Sequence, residues 1–157
     1  MIISDDKKLR EVKEEFHRKF THLKIEFYSG THQRGQGSHK SEVLDAELSI
    51  GLVRTLHNEG DFRIDSKLPV GEFEQKFLAK YGLNVQVFRK SGNLWMQTTA
   101  TDSWTLAEQN RKGGASEEAY HEKAAVIEEE EEEDEDWVHC SAIRGLACAF
   151  DKRISRS

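Results

Sequence analysis

Residues 69–97 read PVGEFEQKFLAKYGLNVQVFRKSGNLWMQ, and the change of period inside this run decides the fold. Val70, Phe73, Phe77 and Tyr81 recur at three- and four-residue spacings, which is one apolar stripe of a helix. Pro69 sits where a helix start tolerates it, and Gly82 supplies the stop. From Leu83 the period drops to two. Leu83, Val85 and Val87 alternate with Asn84, Gln86 and Phe88, and the turn residues Lys90 to Asn93 (KSGN) lead into Leu94, Trp95, Met96, Gln97 and Thr98. A helix followed by a β-hairpin is predicted.

Upstream, Leu9, Val12, Phe16 and Phe20 form a second helical stripe, giving a helix from about Asp5 to Phe20 after Ser4. Lys24 to Ser29 alternates as a strand. Gly30 to Ser41 has three Gly, two His and no apolar residue, and reads as an exposed loop. Leu44, Leu48, Leu52 and Leu56 fall on every fourth residue, which predicts a helix from Val43 that ends at Asn58 to Gly60. Phe62 and Ile64 then alternate as a short strand. Downstream, Thr105 and Glu108 have capping-box spacing, so Leu106 to Asn110 is expected as a short helix that stops before Gly113 and Gly114. No internal repeat is expected.

Helices with apolar stripes and a few short strands define an α+β class: a two-layer domain with one small mixed sheet of about four strands, one face covered by helices. That domain is placed at residues 1–114. Residues 115–136 read as an acidic linker or helix extension, and 137–157 as a short C-terminal segment. In the order strand, helix, strand, helix, strand, strand, residues 24–98 are similar to some RNA-binding domains, such as the C-terminal domain of translation initiation factor 3.

The 157 residues amount to one domain, 36% apolar and 33% charged. The net charge of −6 belongs to one tract. Residues 1–127 hold 19 bases against 19 acids, and nine consecutive acids run from Glu128 to Asp136. Such a run repels itself and is expected as a solvated tract. A balanced body argues against a protein that coats nucleic acid through clustered bases. The longest apolar runs fall short of a membrane span, and the Lys- and Glu-rich start does not read as a secretory signal, so a cytoplasmic protein without membrane contact is expected. Cys140 and Cys148 then read as free thiols.

The stretch FEQKFLAKYGLNVQVFRKSGNLWMQTTATDSWTLAEQN, within Phe62 to Lys112, resembles a group of small uncharacterised bacterial proteins that share a helix, a Y/F-G-L turn and a hydrophobic hairpin. The resemblance covers about a third of the chain. It implies a folded unit and carries no metal-ligand or nucleophile signature.

Motifs of chemistry fail at their working positions. Gly30 and Gly35 have the spacing of a phosphate loop after a strand, but Gln36 stands where that loop needs Lys. His32, His39 and His57 with Asp45 lack the HxH or HxxxH spacing that puts two imidazoles on one side. No G-x-S-x-G elbow sets a nucleophile beside a base. The reading is therefore no enzyme, no catalytic residue, no cofactor and no metal.

Two binding functions remain. The first is a protein–protein interaction module that uses an exposed sheet face or edge. The second is a domain for single-stranded nucleic acid, in which Trp95 and Trp104 stack bases and Arg89, Lys90 and Arg111 hold phosphates. The balanced charge favours the first. Trp95, inside the apolar strand, is expected to be buried. Trp104, among Thr, Asp and Ser, is expected to be the more exposed.

Overall fold

The computed structural model describes residues 1–30 and 37–127. Half of the Gly-rich loop with His32, the acidic tract, both cysteines and the C-terminal segment lie outside them. Met1–Glu118 is one compact unit, and Ala119–Ser157 is a second. In the second, residues 119–127 are helical, and the rings of Tyr120 and His121 meet edge-on at 5.8 Å.

The first unit runs β1 (Ile2–Ile3), α1 (Leu9–Lys19), β2 (Leu23–Tyr28), α2 (Ile50–Val53), β3 (Gly60–Asp61), α3 (Val70–Tyr81), β4 (Asn84–Ser91), β5 (Leu94–Gln97) and α4, helical over residues 106–118. This is an α+β two-layer domain. Its strands divide between two antiparallel sheets rather than joining in one mixed sheet: β1 pairs β3, and β2-β4-β5 forms the larger sheet. The helix–hairpin segment folds as its periods dictate. Gly82 ends α3 at φ 60°, a left-handed conformation in which a Cβ would also run into Thr55 Oγ1.

The fold is a duplication. Leu9, Val12 and Phe16 on α1, with Phe20 at its C-cap, correspond to Val70, Phe73, Phe77 and Tyr81 on α3, each 61 residues later. Ile25 and Phe27 on β2 then correspond to Val85 and Val87 on β4. The ladder pairs these counterparts crosswise, Ile25 with Val87 and Phe27 with Val85, as an approximate two-fold through Glu26 and Gln86 requires. The return segments match as well: Leu44 N–H donates to Phe27 O, and Thr98 N–H donates to its counterpart, Val87 O. The absence of a repeat expected from the sequence is thus corrected. Apolarity and spacing are shared, but among these counterparts only Phe16 and Phe77 are identical.

The same symmetry explains the helix starts. The first amides of a helix have no partner within it. Here Leu9 and Arg10 donate to Leu48 O and Ala46 O, while Ile50 and Gly51 donate to Lys7 O and Asp5 O. In the second half, Val70 and Gly71 donate to Trp104 O and Asp102 O, and Leu106 and Ala107 to Leu68 O and Ser66 O. Each pair of turns caps the other's helix and delivers a fully buried residue, Leu9, Ile50, Val70 or Leu106, to its first position.

This arrangement corrects two helix boundaries. Residues 5–8 form a turn, so α1 starts at Leu9 with Lys8 as its cap. Residues 45–49 are committed to capping α1, so the four-leucine period yields only Ile50–Val53, with Leu44 and Leu48 against the core and Leu52 and Leu56 exposed. The short strand expected at Phe62 to Ile64 is displaced to Gly60–Asp61, while Phe62 and Ile64 are both buried.

A further correction concerns the last helix. Thr105 and Glu108 do form the capping box, each side chain accepting the other's amide at 3.1 Å. The helix then passes through Gly113 and Gly114 instead of stopping, because its backbone packs on His22: a Cβ at Gly113 would lie 2.9 Å from His22 Cβ. Ser116 Oγ accepts the Gly92 amide at 3.0 Å and Glu117 meets His22 Nδ1 at 3.0 Å, which carries the compact unit past residue 114 to Glu118.

Candidate binding groove on the sheet face

Side chains alternate along β4, so Val85, Val87 and Arg89 share the face covered by α1 and α3, whereas Phe88 and Lys90 point to the other. Register completes that second face. Phe88 stands between Lys24 of β2 and Gln97 of β5, and Lys90 is opposite Trp95. Above them lies an open groove of about 510 Å³. Its floor is Lys24, Glu26, Tyr28, Phe88, Trp95 and Gln97, and Lys40 and Val43 form its wall.

The groove is aromatic and cationic. Lys24 Nζ lies 5.3 Å from the centroids of both Phe88 and Trp95, and Lys90 Nζ lies 5.0 Å from that of Trp95. Contacts of this kind contribute roughly 0.5–1 kcal/mol at exposed sites, and here they hold two ammonium groups at the ring. His17 meets the same indole at 6.0 Å. The carboxylate of Glu26 is neutralised by Lys13 at 2.6 Å and Lys24 at 3.4 Å. Burial, then the Glu26 charge, pushes the Tyr28 phenol up to about 12, against a hydrogen bond with Gln97 that acts the other way. Tyr28 is therefore a neutral hydrogen-bonding group at physiological pH.

The five residues singled out from the sequence do not form one site. Trp95 and Lys90 belong to the groove face. Arg89 points to the other side, where its guanidinium donates to Gln109 Oε1 at 3.0 Å and lies 5.7 Å from the Trp104 ring centroid. Trp104 also serves the fold directly, its carbonyl capping α3. Arg111 is exposed on α4. Both tryptophans are half-buried, which corrects the expected contrast between them; on β5 the exposed residues are Leu94 (66%) and Met96 (50%). Residue parity along β4 already separates Arg89 from Lys90. Lys24, Tyr28 and Gln97 were missed because only strand pairing brings them together.

The other chemistry-bearing residues have local partners. His57 Nδ1 meets Asp5 at 3.0 Å, His39 Nδ1 meets Ser41 Oγ at 3.0 Å, and Asp45 Oδ1 accepts the Glu47 amide at 3.0 Å. Among the described residues, no group of three or more His, Cys, Asp or Glu is placed to hold a metal ion, and no helix is long and apolar enough to cross a membrane. No protein family, curated protein or solved structure matches the chain.

Proposed function

We propose that this protein is a non-catalytic protein-binding module that engages its partner through the groove on the β2-β4-β5 face. The observation that carries this reading is the pairing of Phe88 and Trp95, two half-exposed aromatics on a sheet face, with the ammonium groups of Lys24 and Lys90. Half-exposed aromatic side chains favour protein interfaces, where Trp is among the residues that anchor contacts. On the opposite face the apolar side chains of β2 and β4 are spent on the core. A second reading, single-stranded nucleic acid across the same groove, draws on the same aromatics and lysines.

The test is recovery of partners from the source cells with the full chain and with a Trp95→Ala/Lys24→Ala variant whose thermal transition matches the wild type. A protein retained by the wild type and lost by the variant supports the module. Retention of the same proteins by both would move the binding surface elsewhere.

A further inference from the structure

We propose that the groove takes an extended peptide with alternating acidic and apolar side chains, added as a fourth strand along the outer edge of β5. This names the ligand class of the module above and rests on that reading. The sheet order β2-β4-β5 leaves β5 at an edge. In an antiparallel pair, alternate residues turn their backbone groups toward the partner strand and away from it. The two-residue Gly92–Asn93 loop makes Ser91–Leu94 and Arg89–Met96 the hydrogen-bonded pairs; Thr98 N–H to Val87 O continues the series, and Lys90 N–H turns the other way, to His22 O. The N–H and C=O of Trp95 and Gln97 therefore point outward, and among the described residues no backbone group bonds to them. An incoming strand has its hydrogen-bonding template there.

Such a strand presents its side chains alternately to the two faces. On one side they meet Leu94 and Met96, both exposed and without a covering layer. On the other they meet the groove, where Lys24 reaches across Phe88 to the Trp95 ring and Lys90 stands beside it. Glu26 and Glu117 offset only part of this charge: Glu26 is shared between Lys13 at 2.6 Å and Lys24 at 3.4 Å, Glu117 stands 3.8 Å from Lys90, and Lys40 adds a further cation at the groove wall. Complementarity therefore calls for carboxylates facing the groove and apolar side chains facing Leu94 and Met96. A nucleic-acid base would have to displace an ammonium group in order to stack on Trp95, whereas a carboxylate approaches those ammonium groups directly.

The test titrates full-length protein with a fluorescein-labelled decapeptide of alternating Glu and Val, the same peptide with Gln for Glu, and a ten-nucleotide oligothymidylate. The Glu peptide is expected to bind at least about ten-fold tighter than the Gln peptide, and to weaken as salt is raised. Lys24→Gln/Lys90→Gln should abolish that preference, and Lys24→Arg/Lys90→Arg should restore it. Bound peptide should slow amide hydrogen exchange at Trp95 and Gln97. Equal affinity for the two peptides, no binding, tighter binding of the oligonucleotide, or protection that spares Trp95 and Gln97 would overturn the proposal. If partners are still lost from the Trp95→Ala/Lys24→Ala variant while the Glu peptide fails, only the ligand class falls; if neither responds, the module reading falls with it.

Discussion

Glu26 and Gln86 stand directly opposite each other across β2 and β4, and each is the other's counterpart in the duplicated helix–strand unit. Their helix partners are counterparts too. Lys13 on α1 donates to Glu26 at 2.6 Å, and Glu74 on α3 accepts from Gln86 at 3.0 Å. The backbone repeats while the chemistry inverts: the charge is partly exposed in the first half and buried in the second, where Glu74 also accepts the Val87 amide at 2.8 Å. The open half of this pair, Glu26, forms part of the groove floor.

The inversion has unequal energetic consequences. Glu74→Leu leaves the buried Val87 amide and the Gln86 side chain without this acceptor, and should cost about 1–3 kcal/mol or more. Lys13→Leu breaks a partly exposed pair whose acid keeps Lys24, and should cost less than about 1 kcal/mol. Urea denaturation of the two variants checks the order, and a larger loss for Lys13→Leu would contradict it.

Phe77 is fully buried on α3, with its ring centroid 5.7 Å from Phe27, 5.3 Å from Phe62 and 4.9 Å from Tyr81. Phe77→Ala removes the ring that joins both halves of the duplication, and should cost about 3–5 kcal/mol in chemical denaturation.

Gly113 gives a prediction of sign. In a helix interior, Gly→Ala ordinarily gains roughly 1 kcal/mol. At Gly113 the new Cβ would meet the Cβ and carbonyl oxygen of His22 at 2.9 and 3.0 Å, so Gly113→Ala should lower the melting temperature. At Gly114 the nearest atoms belong to the His22 ring at 3.1 Å, which can rotate, so Gly114→Ala should be the milder change.

Acid should reveal the Asp5 cluster. The hydrogen bond from His57, then that from Arg54, holds the Asp5 carboxyl below its ordinary value near 3.8. A lowered folded value contributes stability that is complete above the unfolded value and is lost as pH falls through the folded one. Wild-type stability should therefore drop below about pH 4. Asp61, lowered by the N-terminal ammonium group, adds to the drop. Asp5→Asn should be less stable at neutral pH and should lose less on acidification, as followed by urea midpoints at pH 7, 4 and 2.

Where one rule governed a stretch, the sequence was readable. The stripe from Val70 to Tyr81, the stop at Gly82, the hairpin and the Thr105–Glu108 cap all follow from local chemistry. The leucines at 44, 48, 52 and 56 misled because residues 45–49 have their backbone committed to α1, a tertiary demand that no local period records. The duplication was hidden because Val12 and Phe73, or Phe20 and Tyr81, share only hydrophobicity. The groove was half legible: Trp95 and Lys90 are hairpin neighbours, but Lys24 joins them from a strand more than sixty residues away in sequence.

In the proposed module the groove face, and not the Trp104 side, meets the partner. Indole N–H resonances of Trp95 and Trp104 in nitrogen-labelled full-length protein, assigned with Trp→Phe variants, test it directly during titration with a recovered partner or the alternating Glu–Val peptide. The Trp95 indole should shift with saturating dependence on the titrant while the Trp104 indole stays in place. A shift confined to Trp104 would contradict it.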